Sequence, residues 1–342
     1  MTIEDQTTTP SSELLGRGAT GQSLAESGSE LDEIALTEGR DREFTVEAKT
    51  QRQLVMRRFF RHRLAMISMT ILLIVVLIAF VGLPIYGKSP TDPGLLENGG
   101  RPTLDAIPWI DGDGFAWGSA PFGQDNIGRD YLAVTLRGAQ QSLLIAGVAG
   151  LLATFIGTVV GGLAGYYRGW LDAALMRFVD VLFTIPLLVV AAVIGRRIES
   201  NSFLVLALII ALASWYTTSR IIRAEFMSLR EKEFVEAAEA MGATNARIMW
   251  KHILPNVVGS VIVTATLLIS AAILVETALA FLGFGSGLSL GKQVSDYQTA
   301  FNTRPWLFWW PGMFIVLIAL CINFIGDGLR DAFDPKQTRV RQ

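Results

Sequence analysis

The chain has 342 residues, of which 51% are hydrophobic and 18% charged, and its formal net charge is −2. Its charged share lies well below the norm for soluble globular domains. One cysteine, Cys321, excludes an intrachain disulfide and a paired-cysteine metal site, and the histidines His62 and His252 stand apart, so no metal site is expected.

Charge is unevenly spread. Residues 1–50 carry eleven acidic and four basic side chains, the rest of the chain twenty and twenty-five. The first 50 residues are rich in Ser, Thr, Glu and Gly. They bury too little apolar surface to offset ordering entropy, and a disordered acidic cytoplasmic tail is expected there. They lack the basic start, apolar core and small-residue cleavage site of a secretory signal.

Residues 51–342 hold six long apolar runs: Leu64–Tyr86, Ser142–Tyr167, Phe178–Ile194, Ser202–Ser219, Val257–Phe284 and Trp306–Ile325. A helix needs roughly 20 residues to cross about 30 Å of hydrocarbon. The pattern predicts an all-α polytopic membrane protein with six transmembrane helices. Asp180 and Pro186 interrupt the third run, and Glu276 is the one carboxylate in the fifth.

The first run ends in Gly-Leu-Pro-Ile-Tyr-Gly-Lys-Ser, Gly82–Ser89, which satisfies the phosphate-loop pattern GxxxxGK[ST]. A phosphate loop follows a buried strand and opens a helix, so that helix N-terminus and loop amides cradle the phosphates. Here an apolar span precedes it, Pro84 removes one amide donor, and Pro90, Asp92, Pro93 and Gly94 stop any helix beyond it. The segment is read as the end of a membrane helix, with Lys88 at headgroup level.

Orientation follows from Lys and Arg near the spans. Placing the N-terminus inside puts 17 basic residues on the cytoplasmic side and 8 on the other. Both termini are therefore expected in the cytoplasm; Arg196 and Arg197 fit this least well. The external connection, 87–141, is rich in Gly, Pro and Asp and contains Trp109 and Trp117, and it is expected to form an irregular cap. The cytoplasmic connection, 220–256, is helical in composition. Trp306, Trp309 and Trp310 read as an interfacial belt.

Within that cytoplasmic loop, Lys232–Met241 is helix-forming, and Phe234, Val235, Ala238 and Met241 fall on one apolar stripe. Gly242 is placed to close the helix in a left-handed cap. A second short helix, about Asn245–His252, follows, and Pro255 suits the first turn of the next span.

The order of residues says more. Glu236-Ala237-Ala238, three residues, Gly242, then a fixed gap to Leu254-Pro255 resembles the EAA motif of ABC importer permeases. His252 stands where the broad pattern has Ile, and Lys-His-Ile-Leu-Pro-Asn is similar to the variant of the peptide and nickel branch. Segments Ala120–Gly147, Arg177–Leu188, Glu276–Gly285 and Gly326–Lys336 also resemble that branch, closest to its C-type subunit; Gln124 departs from the usual Thr. The resemblance covers about residues 52–337.

It implies a type I ABC importer permease architecture. It implies that Glu236, Ala237, Ala238, Met241 and Gly242 couple to an ATPase subunit, with Phe234, His252, Leu254 and Pro255 supporting the loop. The expected partners are a homologous B-type permease, two ABC ATPase subunits or one fused ATPase, an extracytoplasmic peptide-binding protein and the lipid bilayer, with no nucleic acid. No cofactor is expected on this chain, since ATP and Mg²⁺ belong to the partners. Dipeptides, oligopeptides and nickel chelates remain open as cargo. A stand-alone secondary transporter predicts more spans or inverted repeats. Glu276, Asp180 and Arg129 are the candidates for pathway or gate, and for Glu276 and Asp180 structural pairing is the alternative.

Overall fold

The computed structural model describes residues 51–103, 118–197, 202–285 and 287–333. The acidic tail, Trp109, Trp117 and the last nine residues lie outside them, as do the side chains of Arg196 and Arg197. No strand occurs among the described residues.

Among the described residues, four helices are long and apolar enough to cross a membrane: α2 (Arg63–Tyr86), α3 (Tyr131–Tyr167), α9 (Asn245–Phe284) and α11 (Trp306–Phe333). A short basic helix, α1 (Gln51–Arg61), precedes them. Between α3 and α9 lie α4 (Gly169–Thr184), α5 (Leu187–Arg197), α6 (Phe203–Leu212), α7 (Trp215–Arg230) and α8 (Glu233–Ala240); α10 (Leu290–Tyr297) lies between α9 and α11. The pairs α4–α5 and α6–α7 are bent, and counting each as one span gives six.

Each bend has a chemical cause. Pro186 sits in the first and has no amide to continue the ladder. In the second, which bends by 45°, the Ser214 hydroxyl donates back to the Ile210 carbonyl at 2.7 Å and competes with the helical bonds there.

Two boundaries differ from the sequence expectation. The second span begins at Tyr131, so Tyr131–Gln141 is helix and not part of an irregular cap. Asp130 caps it, accepting from the Ala133 amide at 3.1 Å. The polar residues that make this stretch look like loop are satisfied by neighbours. Arg137 donates to Gln140 at 2.8 Å, Gln140 donates to the Ala79 carbonyl at 2.6 Å, and Gln141 accepts from the Leu288 amide at 2.7 Å. The expected separate helix at Asn245–His252 is instead the first part of α9. A wide π turn, Ile248–Ile253, falls just ahead of Pro255, where a proline breaks the regular hydrogen-bond ladder.

Helix α3 is the centre of the bundle, packing most extensively on α7 and then on α9. Glycines four apart allow the close approach to α7. A Cβ on Gly157 would lie 2.6 Å from the Trp215 carbonyl oxygen, and one on Gly165 would lie 2.5 Å from that of Arg223. Helix α11 packs on α9 and α2. Only 22% of the most apolar stretch of α2 is buried, so its remaining faces need lipid or another subunit.

Candidate functional site

Helix α8 and its following turn form a compact reversal of the chain. Glu and Ala make α8 a good helix, and Glu233 and Glu236 lie in its first turn, where negative charge suits the helix dipole. At its end the Gly242 amide donates to the Glu239 carbonyl at 2.9 Å and the Ala243 amide to the Ala238 carbonyl at 3.0 Å. With Gly242 at φ +77°, this is a Schellman cap. Thr244 then caps α9 by accepting from the Arg247 amide at 3.4 Å.

The expected apolar stripe splits between two faces. Val235 and Ala238 are buried in a cluster with Tyr166, Ile222, Phe226, Ile248 and Ile253. Met241, by contrast, is 79% exposed and Phe234 40%. Glu236 and Ala237 share their exposure. Ala238 therefore seats the helix and is not available to a partner, while Phe234, Glu236, Ala237 and Met241 make the outward face. An exposed apolar and acidic patch on a short, rigidly capped helix is suited to a docking contact. Leu254 packs against the same cluster, His252 is half-buried with its carbonyl accepting from Asn256 at 2.7 Å, and Pro255 is exposed in the first turn after the π segment.

Residues with no signature in the sequence frame this surface. Tyr166 donates its hydroxyl to the Asn245 side-chain oxygen at 3.1 Å. Arg230 donates to the Tyr166 carbonyl and lies 5.0 Å over its ring. Asp172 accepts both Arg223 nitrogens, at 2.5 and 2.6 Å, in the forked geometry that makes such pairs strong.

The three pathway or gate candidates lie in separate environments. Glu276 is fully buried with no basic partner among the described residues. Its oxygens accept from Ser289 at 2.5 Å and Ser142 at 3.0 Å, and Ser142 in turn accepts from the Leu290 amide at 3.0 Å. It therefore locks the start of α10 between α3 and α9. Asp180 is paired with Arg220 at 2.6 Å on an exposed face, and that arginine also lies 4.4 Å over the Phe183 ring. Arg129 is committed to the fully buried Asp125, at 2.5 Å, and donates to the Tyr297 hydroxyl at 3.3 Å. Burial opposes the Arg129 charge, but the Asp125 carboxylate outweighs it and holds the guanidinium above its ordinary range. Asp125 also accepts from the Ile127 and Arg129 amides at 3.0 and 2.9 Å, so the cluster ties the loop before α3 to α10.

The phosphate-loop look-alike is the end of α2. Gly87 closes it at φ +71°. Lys88, expected at headgroup level, is held by two partners. Its ammonium donates to the Ser119 carbonyl and to Asp130 at 2.9 Å, and Tyr86 donates to the same carboxylate at 2.9 Å. Asp130 is only 7% exposed while Lys88 is 44% exposed, which places the pair at the upper end for an accessible ion pair. Lys88→Ala is expected to cost about 1 kcal/mol of stability and to change no nucleotide chemistry. Thermal unfolding and nucleotide binding measured together check this, and loss of nucleotide binding in the variant would reinstate a phosphate site.

Known proteins resemble this chain along most of its length. Residues 157–339 match the model of the binding-protein-dependent transport system inner membrane component, and residues 50–98 that of the N-terminal transmembrane domain of oligopeptide transport permease C. The chain is 37% identical over 303 residues to the oligopeptide transport system permease protein OppC of Mycobacterium bovis, spanning 86% of this chain and 98% of that one. It is 36% identical over 297 residues to the protein of the same name from Haemophilus influenzae, spanning 86% and 91%. A solved inward-facing structure of the MetNI methionine ABC transporter matches at a TM-score of 0.45 and 22% identity, over 60% of this chain and 98% of that chain. The two family matches and the OppC relatives show that the chain belongs to the inner membrane components of binding-protein-dependent transport systems, as a C-type permease of the oligopeptide ABC importer branch.

Proposed function

We propose that this chain is one of two permease subunits of an ATP-driven importer of dipeptides or oligopeptides in a prokaryotic plasma membrane, with both termini cytoplasmic. A homologous B-type permease supplies the other half of the pathway. Two ABC ATPase subunits, or one fused ATPase, bind ATP and Mg²⁺ on the cytoplasmic side, and an extracytoplasmic peptide-binding protein delivers cargo. The chain itself holds no cofactor and hydrolyses nothing.

The observation that carries this reading is the outward face of α8: Phe234, Glu236, Ala237 and Met241 exposed on a helix whose other face, Val235 and Ala238, is locked into the bundle. Such a helix fits a groove on a partner and passes that partner's movement to the spans. Peptide cargo is supported by relatives named for oligopeptide transport. The test is reconstitution of the purified chain with its B-type permease and peptide-binding protein, with and without the ATPase subunits. ATP hydrolysis and radiolabelled peptide uptake are both expected only with them. Uptake without them would instead make the chain a secondary transporter, and uptake of nickel chelates but not peptides would overturn the cargo.

A further inference from the structure

Arg168, between α3 and α4, has a backbone conformation rarely adopted outside glycine. It lies at φ +54° and ψ −162°, a region in practice left to glycine. Strain of this kind persists only where the surroundings over-determine it. What holds Arg168 is the approach to α8. Its guanidinium donates to the Met227 carbonyl at 2.9 Å and to Glu231 at 2.8 Å. Glu231 immediately precedes Lys232, the N-cap of α8.

The same turn also reaches the far side of α8. Tyr166, two residues before Arg168, bonds Asn245 at 3.1 Å, where α9 begins just beyond the Gly242 reversal. Arg230, at the end of α7, returns a bond to the Tyr166 carbonyl and covers its ring. One turn therefore grips α8 from both flanks.

Besides the seating of Val235 and Ala238 against α7 and α9, a push on α8 has two further ways into the bundle. The chain leads into α9, but through the π turn Ile248–Ile253, which interrupts the regular hydrogen-bond ladder. The other way runs through Tyr166 and Arg168 into α3, whose glycines bring it to backbone contact with α7. Packed side chains and rigid helices of this kind carry coupling between sites.

We propose that the Tyr166–Arg168 turn is a transmission clamp, in which Tyr166 and Arg168 are positioning residues that pass movement of α8 to α3 and α4. The clamp rests on the reading of α8 as the ATPase-coupling helix. Neither residue lies on the outward face of α8, so neither is needed for docking. Tyr166→Phe removes one hydroxyl and leaves the buried ring in place. Arg168→Gly removes the guanidinium bonds and relieves the backbone strain.

The experiment uses the full complex with its binding protein in liposomes. It reads peptide imported per ATP hydrolysed, alongside assembly with the ATPase subunits and the thermal unfolding midpoint. In each variant the ratio is expected to fall about 5- to 10-fold, within the usual range of coupling between sites, with assembly and midpoint as in the unaltered complex. A ratio equal to that of the unaltered complex in both variants overturns the clamp. So does a fall that only tracks lost assembly or a lowered midpoint, since that is a structural role alone. If the unaltered complex itself imports peptide without ATP hydrolysis, the coupling reading fails first, and the two failures are distinct.

Discussion

Gly242→Trp is expected to abolish ATP-driven peptide uptake while the permease still inserts, folds and purifies. The position separates the demands of folding from those of docking. At φ +77° any L side chain meets the left-handed penalty, about 1–2 kcal/mol. A Cβ there has no atom within 4 Å, so the side chain starts out into open space. A fold stable by roughly 5–15 kcal/mol survives such a loss. The indole then stands beside Met241, on the surface that an ATPase groove has to cover. Gly242→Ala carries the same backbone cost without the bulk, so it keeps most of the uptake. Co-elution with the ATPase subunits, uptake and unfolding midpoint check this as a set. Equal uptake by the Ala and Trp variants at equal midpoints would remove this turn from the docking surface.

The features legible in the sequence are those whose causes are local. Apolar length marks the spans, Pro186 marks one bend, and the Gly242 reversal follows from a helix former run ending in glycine. The bend at Ser214 hangs on a single hydroxyl turning back to Ile210, which no apolar pattern records. On α8 both faces carry apolar residues. What turns Val235 and Ala238 inward is the surface offered by Tyr166, Ile222 and Phe226, which come from other helices. The ionic residues were visible as residues and invisible as pairs. Lys88 meets Asp130, Asp125 meets Tyr297, and Glu276 meets Ser142, each across a long stretch of chain. The start of α3 was hidden for the same reason, because Gln140 and Gln141 read as loop residues until Ala79 and Leu288 are placed beside them.

The second large effect is expected at Gly161→Leu, which should prevent α3 and α7 from closing and leave little folded protein. Two forces act in opposite directions. Leucine is the better helix former, by somewhat less than the roughly 1 kcal/mol that separates glycine from alanine. Against that, a Cβ at Gly161 would press on the Ser219 carbonyl, 3.0 Å from the Ser219 Cα and 3.1 Å from the Arg223 nitrogen. Those are backbone atoms of a helix, and no rotamer change moves them aside. The helices must separate, and the close contacts at Gly157 and Gly165 are lost with them. Overpacking typically costs about 1–3 kcal/mol and here meets backbone, so sterics outweigh propensity. Gly147→Leu on the same helix is the control, because nothing lies within 4 Å of a Cβ there and only the propensity gain applies. Purified yield and unfolding midpoint should fall for the first variant and hold or rise for the second. An equal response at both positions would mean that α3 and α7 do not meet at their backbones. Because α7 runs directly into the approach to α8, the same contact that Gly161 permits also fixes where the coupling surface stands relative to the spans it has to move.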